Sequence, residues 1–135
     1  MQAMKEISDA KILLVEDSSF SRALILSALR ELGFEHITYP DNAAEAWEQI
    51  VQSLLEENPF DLLITDLNMP EIDGMDLIAR IKEDEFSRHQ KIIVISADAD
   101  PKIKERCLTL GAQAYLTKPF EPASLHAAIV SALKN

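Results

Sequence analysis

Four points in this chain place a chemically useful side chain directly after a short apolar run. Leu62-Leu63-Ile64 leads through Thr65 to Asp66, and Ile12-Leu13-Leu14-Val15 leads to Glu16-Asp17. Ile92-Ile93-Val94-Ile95 leads to Ser96-Ala97, and Ala114-Tyr115-Leu116-Thr117 leads to Lys118-Pro119. Aspartate is depleted in strands and costly to bury unpaired, so an Asp at the lip of a buried run needs a reason. Taken alone, Asp66 reads as the opener of a turn; three other runs that end in polar chemistry argue for more. If these ends meet, three carboxylates stand close and repel one another unless a cation lies between them. Oxygen donors with no His or Cys beside them suit Mg²⁺, which keeps water and often a phosphate oxygen in its shell. A lysine and a hydroxyl beside such an ion are what phosphoryl transfer needs, because charge builds on the equatorial oxygens of the moving group. Asp66 is then the candidate nucleophile, forming an aspartyl phosphate, with Lys118 and Ser96 beside it.

The elements that must position these groups are legible in order. Lys11-Ile12-Leu13-Leu14-Val15 reads as a buried strand, and Ser18 or Ser19 caps a helix through Leu32 that Gly33 closes. The expected apolar arc of that helix is Leu24, Ile25, Ala28, Leu29 and Leu32, and His36–Tyr39 follows as a short edge strand. Asn42-Ala43-Ala44-Glu45 has capping-box spacing, and the helix behind it is expected to bury Ala43, Trp47, Ile50, Val51 and Leu54. Glu56-Glu57-Asn58-Pro59 ends it, the Asp66 strand follows, and Pro70 stops regular structure. Glu71-Ile72-Asp73-Gly74 reads as a turn with Gly74 at positive φ, before a helix carrying Leu77, Ile78 and Ile81 to about Glu83. A polar loop over 84–90 leads into the strand 91–95. Asp100-Pro101 then starts a helix with Ile103, Cys107 and Leu110 on one face and Gly111 after it. Pro122 opens the last helix, striped by Leu125, Ala128, Ile129, Ala132 and Leu133. Strict alternation of strands and helices predicts an α/β fold, a doubly wound (βα)5 domain with a five-stranded parallel sheet and right-handed crossovers. In the flavodoxin-like strand order 2-1-3-4-5, the ends of strands 1, 3, 4 and 5 share one rim at the switch point. One domain is expected over residues 11–135, behind a loose lead-in over residues 1–10.

Composition narrows the function. The 135 residues carry a formal charge of -10, which speaks against direct nucleic-acid binding and against an anionic membrane surface. A single cysteine, Cys107, leaves no internal disulfide and suits a reducing cytoplasm; it reads as a small core residue rather than a reactive thiol. The polar start Met1-Gln2-Ala3-Met4-Lys5-Glu6 is no secretory h-region, and no apolar run reaches membrane-span length. His36, His89 and His126 are scattered without ligand spacing.

Together, Glu16-Asp17, Asp66-Leu67-Asn68-Met69-Pro70 with Gly74, Ser96-Ala97, Tyr115 and Lys118-Pro119-Phe120 resemble the receiver domain of bacterial two-component response regulators, over residues 10–134. The likeness is to single, chemotaxis-regulator-like receivers. It implies a phosphoacceptor signalling domain rather than an enzyme, one that supports its own phosphorylation and dephosphorylation. Asp17 and Asp66 would bind Mg²⁺ (Mn²⁺ can substitute), Glu16 would act directly or through water, and Asn68 would give its backbone carbonyl. Lys118 would contact the phosphoryl group, with the Lys118-Pro119 bond cis; small Ala97 would stand beside the phosphoryl path. Ser96 would turn toward the phosphate and Tyr115 move inward, remodelling the face of residues 101–134, while Asn68 and Asp98 set the rate of hydrolysis. The implied donor is a histidine kinase or a histidine phosphotransfer protein, and the output a target protein met through that face. The domain would act as a monomer or a phosphorylation-dependent dimer.

Two departures from the pattern stand out. The first acidic position is Glu16 rather than Asp, and the segment from Trp47 to Phe60 is longer than in the most compact receivers. A Mg²⁺-dependent phosphatase of the haloacid dehalogenase type is the alternative from another class, but it needs a second acid two residues after the nucleophile, where Asn68 stands. A flavin-binding flavodoxin needs bare amides after strand 1, where the chain offers Glu16-Asp17-Ser18-Ser19. A histidine phosphotransfer protein would have no strands. No DNA-binding, cyclase or phosphodiesterase segment follows Asn135, so the expectation is output by protein contact, from a stand-alone regulator or a receiver of a longer chain.

Overall fold

A computed structural model describes residues 6–69 and 71–134. Residues 1–5 of the expected lead-in, the stop at Pro70 and the terminal Asn135 lie outside the described residues. Among the described residues, strands and helices alternate as β1 (Ile12–Val15), α1 (Ser19–Glu31), β2 (Ile37–Thr38), α2 (Ala43–Leu55) and β3 (Leu62–Thr65). The order continues with α3 (Gly74–Glu83), β4 (Ile92–Ser96), α4 (Pro101–Leu110), β5 (Ala114–Thr117) and α5 (Pro122–Lys134). The sheet has the order β2-β1-β3-β4-β5, with every neighbouring pair parallel. A single 3₁₀ turn at Ile7–Asp9 precedes β1, and Ala10 behind it is buried, so this part of the lead-in rests on the domain.

Strand side chains alternate between two cores. Leu13, Val15, Leu63, Ile92 and Val94 face Ile50 of α2, Leu77, Ile78 and Ile81 of α3, and Cys107 of α4. Ile12, Leu14, Leu62, Ile64, Ile93 and Ile95 face Ile25 and Leu29 of α1 and Leu125 and Ile129 of α5. Covering both faces is what lets β1, β3 and β4 be apolar throughout.

Helix starts follow local chemistry. Ser18 Oγ accepts from the Ser21 amide (3.3 Å), and Asp100 Oδ1 accepts from the Lys102 amide (2.9 Å). Asn42 Oδ1 accepts from the Glu45 amide (2.9 Å), but the Glu45 carboxylate turns back one residue further, to the Asp41 amide (2.9 Å). Gly33 and Gly111 close α1 and α4 at φ 98° and 120°.

Three details differ from expectation. Leu24 is half exposed and Leu26 is buried in its stead. On α2 the sheet-facing positions are Ala43, Ala46, Ile50 and Ser53, while Val51 lies at the surface and Trp47 and Leu54 flank the core. Small residues let α2 approach the sheet, and Ser53 is buried at no loss because its hydroxyl donates to the Ile50 carbonyl (2.7 Å). The positive φ of the turn after β3 falls at Glu71 (66°), not at Gly74. Gly74 opens α3 behind the Asp73 cap, and a Cβ there would lie 1.9 Å from the Asp66 carbonyl oxygen. Close approach, not φ, demands glycine.

Candidate functional site

β1 and β3 run side by side with Val15 opposite Thr65, so the next residues, Glu16 and Asp66, emerge together at the rim. Two strands away from β1, Ser96 ends β4 opposite Thr117, and the Lys118 amide donates to the Ser96 carbonyl (2.8 Å). That register sends the Lys118 side chain back across the rim. Its Nζ donates to Glu16 Oε2 (2.7 Å), Asp66 Oδ2 (2.9 Å) and Ser21 Oγ (3.1 Å). An ammonium has three N–H groups, and all three are used. The other Asp66 oxygen, Oδ1, accepts from the amides of Leu67 (2.6 Å) and Asn68 (3.3 Å). Glu16 Oε1 accepts from the Ser18 amide (3.1 Å), and the Arg22 guanidinium donates to the Glu16 carbonyl (3.3 Å).

Electrostatics split the two acids. Burial pushes the Glu16 carboxyl up, and the Asp66 charge adds to this against the pull of Lys118 and the Ser18 amide. Burial would also raise Asp66, but the hydrogen bond and charge of Lys118, with the Leu67 and Asn68 amides, outweigh it and hold that carboxyl below its usual range. Burial would lower Lys118, yet its bonds to Glu16 and Asp66 keep it above the ordinary lysine value. The cluster therefore holds Asp66 as a carboxylate beside a fixed ammonium, with its counter-charge in place.

The remaining residues lie around this centre. Asp17 is exposed at the lip beside Glu16, and Asn68 and Ala97 are exposed on the loops after β3 and β4. The Lys118-Pro119 bond is cis. Ser96 is fully buried, its Oγ accepting from the Asp98 amide (3.2 Å), while the Tyr115 hydroxyl donates to the Asp98 carbonyl (2.6 Å). Asp98 Oδ1 accepts from the Asp100 amide (3.0 Å), which ties this loop to the start of α4. Ser96 and Tyr115 are thus joined through Asp98, and the Ser96 hydroxyl also lies beside the Tyr115 phenol.

The sequence reading missed Ser21 and the Leu67 amide. Ser21 lies one turn after the Ser18 cap, a spacing that turns it to the same side of the helix and was the available signal. Leu24, expected in the core, instead lines an apolar groove of about 460 Å³ with Phe20, Pro119 and Phe120, beside Lys118. Among the described residues, no three His, Cys, Asp or Glu side chains are gathered as a ready metal cage. Glu16, Asp66 and the neighbouring Asp17 nonetheless offer a hard oxygen donor set, which fits Mg²⁺ in kind. Among the described residues, no helix is long and apolar enough to cross a membrane.

Comparison with known proteins agrees with this geometry. The family model described as response regulator receiver domain matches residues 12–130. Chemotaxis protein CheY1 of Helicobacter pylori is 34% identical over 115 residues, covering 85% of this chain and 90% of its own length. A response regulator structure from Chloroflexus aurantiacus superposes with a TM-score of 0.83 at 29% identity, covering 94% of this chain and 99% of that one. The receiver domain of a sensor histidine kinase from Pseudomonas aeruginosa, solved with a magnesium ion coordinated in its active-site cleft, gives 0.77 at 31% identity, with 94% and 99% covered.

Proposed function

The chain belongs to the response regulator receiver domain family of two-component signalling, and on that premise we propose that it takes up a phosphoryl group on Asp66. The observation that carries this reading is the Lys118 ammonium held between Asp66 Oδ2 and Glu16 Oε2 at 2.9 and 2.7 Å. A carboxylate oxygen of Asp66 attacks phosphorus, forming a new O–P bond. The bond from phosphorus to the donor's imidazole nitrogen breaks, and the nitrogen leaves with the electron pair. Lys118 stabilises the charge on the moving group's oxygens. Asp17, Asp66 and the Asn68 carbonyl would hold Mg²⁺, with Glu16 directly or through water; when bound, the ion neutralises phosphoryl charge.

The donor is a histidine kinase or a histidine phosphotransfer protein. Ser96 then exchanges its bond with the Asp98 amide for one with the phosphoryl group, and Tyr115 follows inward. The face of residues 101–134 changes and is read by a target protein in the cytoplasm. Asn68, Ala97 and Asp98 set the access and lifetime of the phosphoryl group. Residues 11–135 act as one receiver unit, a phosphoacceptor rather than a turnover enzyme. The likeness to chemotaxis regulators supports this single-receiver mode of action.

Intact mass after incubation with acetyl phosphate, with and without Mg²⁺, tests the reading on wild type and Asp66→Asn. The expected result is a Mg²⁺-dependent gain of one phosphoryl group that Asp66→Asn lacks. A gain that persists in Asp66→Asn would show the nucleophile to be another residue.

A further inference from the structure

We infer that Ser21 is a positioning residue for the Lys118 ammonium during phosphoryl uptake, an inference that rests on the function proposed above. Lys118 reaches the site on a four-carbon stem, which leaves a terminal charge free to wander. Two of its three N–H groups are held by carboxylates, and Ser21 Oγ takes the third at 3.1 Å. Ser21 is the one neutral partner. When Asp66 becomes phosphorylated and its bond to Lys118 is redirected to phosphoryl oxygens, Glu16 and Ser21 remain as the two fixed holds. With Glu16 alone, the ammonium could pivot about a single contact and be drawn away from Asp66. A third carboxylate would hold it more tightly but add negative charge where a phosphoryl group must arrive.

The support under Ser21 is rigid. It lies in the first turn of α1, where its amide is capped by Ser18 Oγ (3.3 Å) and the following amide, of Arg22, donates to the Ser18 carbonyl (2.8 Å). The Arg22 guanidinium in turn holds the Glu16 carbonyl. One helix start therefore aligns both remaining holds on the lysine, an arrangement that keeps a reacting group within narrow bounds.

A purely structural Ser21 predicts the opposite outcome on replacement. Alanine is the better helix former, and Ser21→Ala leaves the amide cap intact, so the fold should be unharmed. The test measures the rate of Asp66 phosphorylation by acetyl phosphate in Mg²⁺ for wild type, Ser21→Ala, Ser21→Thr and the exposed control Ser27→Ala, with thermal midpoints for each. Loss of a hydrogen bond to a charged group predicts uptake slowed about tenfold in Ser21→Ala, near wild type in Ser21→Thr and unchanged in Ser27→Ala. Midpoints should not fall. A Ser21→Ala rate equal to wild type, a Thr variant as slow as the Ala variant, or slowing that tracks a lowered midpoint would each overturn the inference. Wild type that takes up no phosphoryl group would instead overturn the function beneath it, and the inference with it.

Discussion

At the scale of single residues, the site works by unequal environments for like groups. Glu16 and Asp66 share one ammonium, but only Asp66 has two backbone amides on its second oxygen. Burial therefore wins at Glu16 and loses at Asp66. Tyr115 shows the same competition: burial holds its phenol above the ordinary value of 10.0, the Asp98 charge adds to this, and the Ser96 hydroxyl opposes it. A raised folded-state value means that the neutral phenol favours the fold. Its contribution to stability is complete below the unfolded value and is lost as pH rises through the folded one. In Tyr39→Phe protein, which leaves Tyr115 as the remaining tyrosine, absorbance at 295 nm should titrate with a midpoint above the ordinary tyrosine value. Ionisation at or below the ordinary value would contradict the buried, Asp98-bonded position.

At the scale of elements, the helices are placed by which side chains fit the sheet rather than by which are most apolar. Leu29 of α1 is fully enclosed, whereas Leu24 is 51% exposed on the same helix. Leu29→Ala should cost about 2–5 kcal/mol in denaturant unfolding. Leu24→Ala should stay within about 0.5 kcal/mol. Equal losses would mean that α1 is rotated from the position described. Gly74 marks where α3 meets the rim: its amide donates to the Leu67 carbonyl (2.9 Å), and its missing side chain leaves room for the Asp66 carbonyl. Ala at this position has to displace backbone on one side or the other. Gly74→Ala should cost about 1–3 kcal/mol from overpacking. A shift of the Asp66 backbone should also slow phosphoryl uptake by about a hundredfold. Near-normal stability and uptake would show that the contact relaxes at little cost.

At the scale of the whole molecule, the proposed function puts the chemistry at one rim of the sheet and its consequence on a side face. The Ser96–Asp98–Tyr115 bonds lead from the end of β4 to β5, and Asp98 and Asp100 continue to the start of α4. A phosphoryl group that captures the Ser96 hydroxyl removes the Asp98 amide's partner, so the disturbance should spread along this side. Hydrogen exchange with beryllofluoride and Mg²⁺ should change protection within residues 101–134 and leave α2 (Ala43–Leu55) as it was. Changes confined to α2, or none at all, would remove the basis for placing the output on that face.

Much of this was legible in the linear chain, for a physical reason. Apolar runs, capping side chains and helix-ending glycines act through neighbours a few positions away, so strands, helices and their order follow from local patterns. The acidic ends of two strands, the hydroxyl of a third and the lysine of a fourth were visible because parallel sheets gather such ends at one rim. What local pattern could not show is the fit between segments. The Glu16–Lys118 bond joins residues 102 positions apart, and the Ser21–Lys118 bond joins residues 97 apart. Likewise, Leu24 leaves the expected core and Ala46 enters it only once each helix is seated on the sheet. Gly74 needs its missing Cβ only because the Asp66 carbonyl lies where that carbon would be. Those contacts depend on packing distances fixed after the chain has closed on itself, and no stretch of sequence carries them alone.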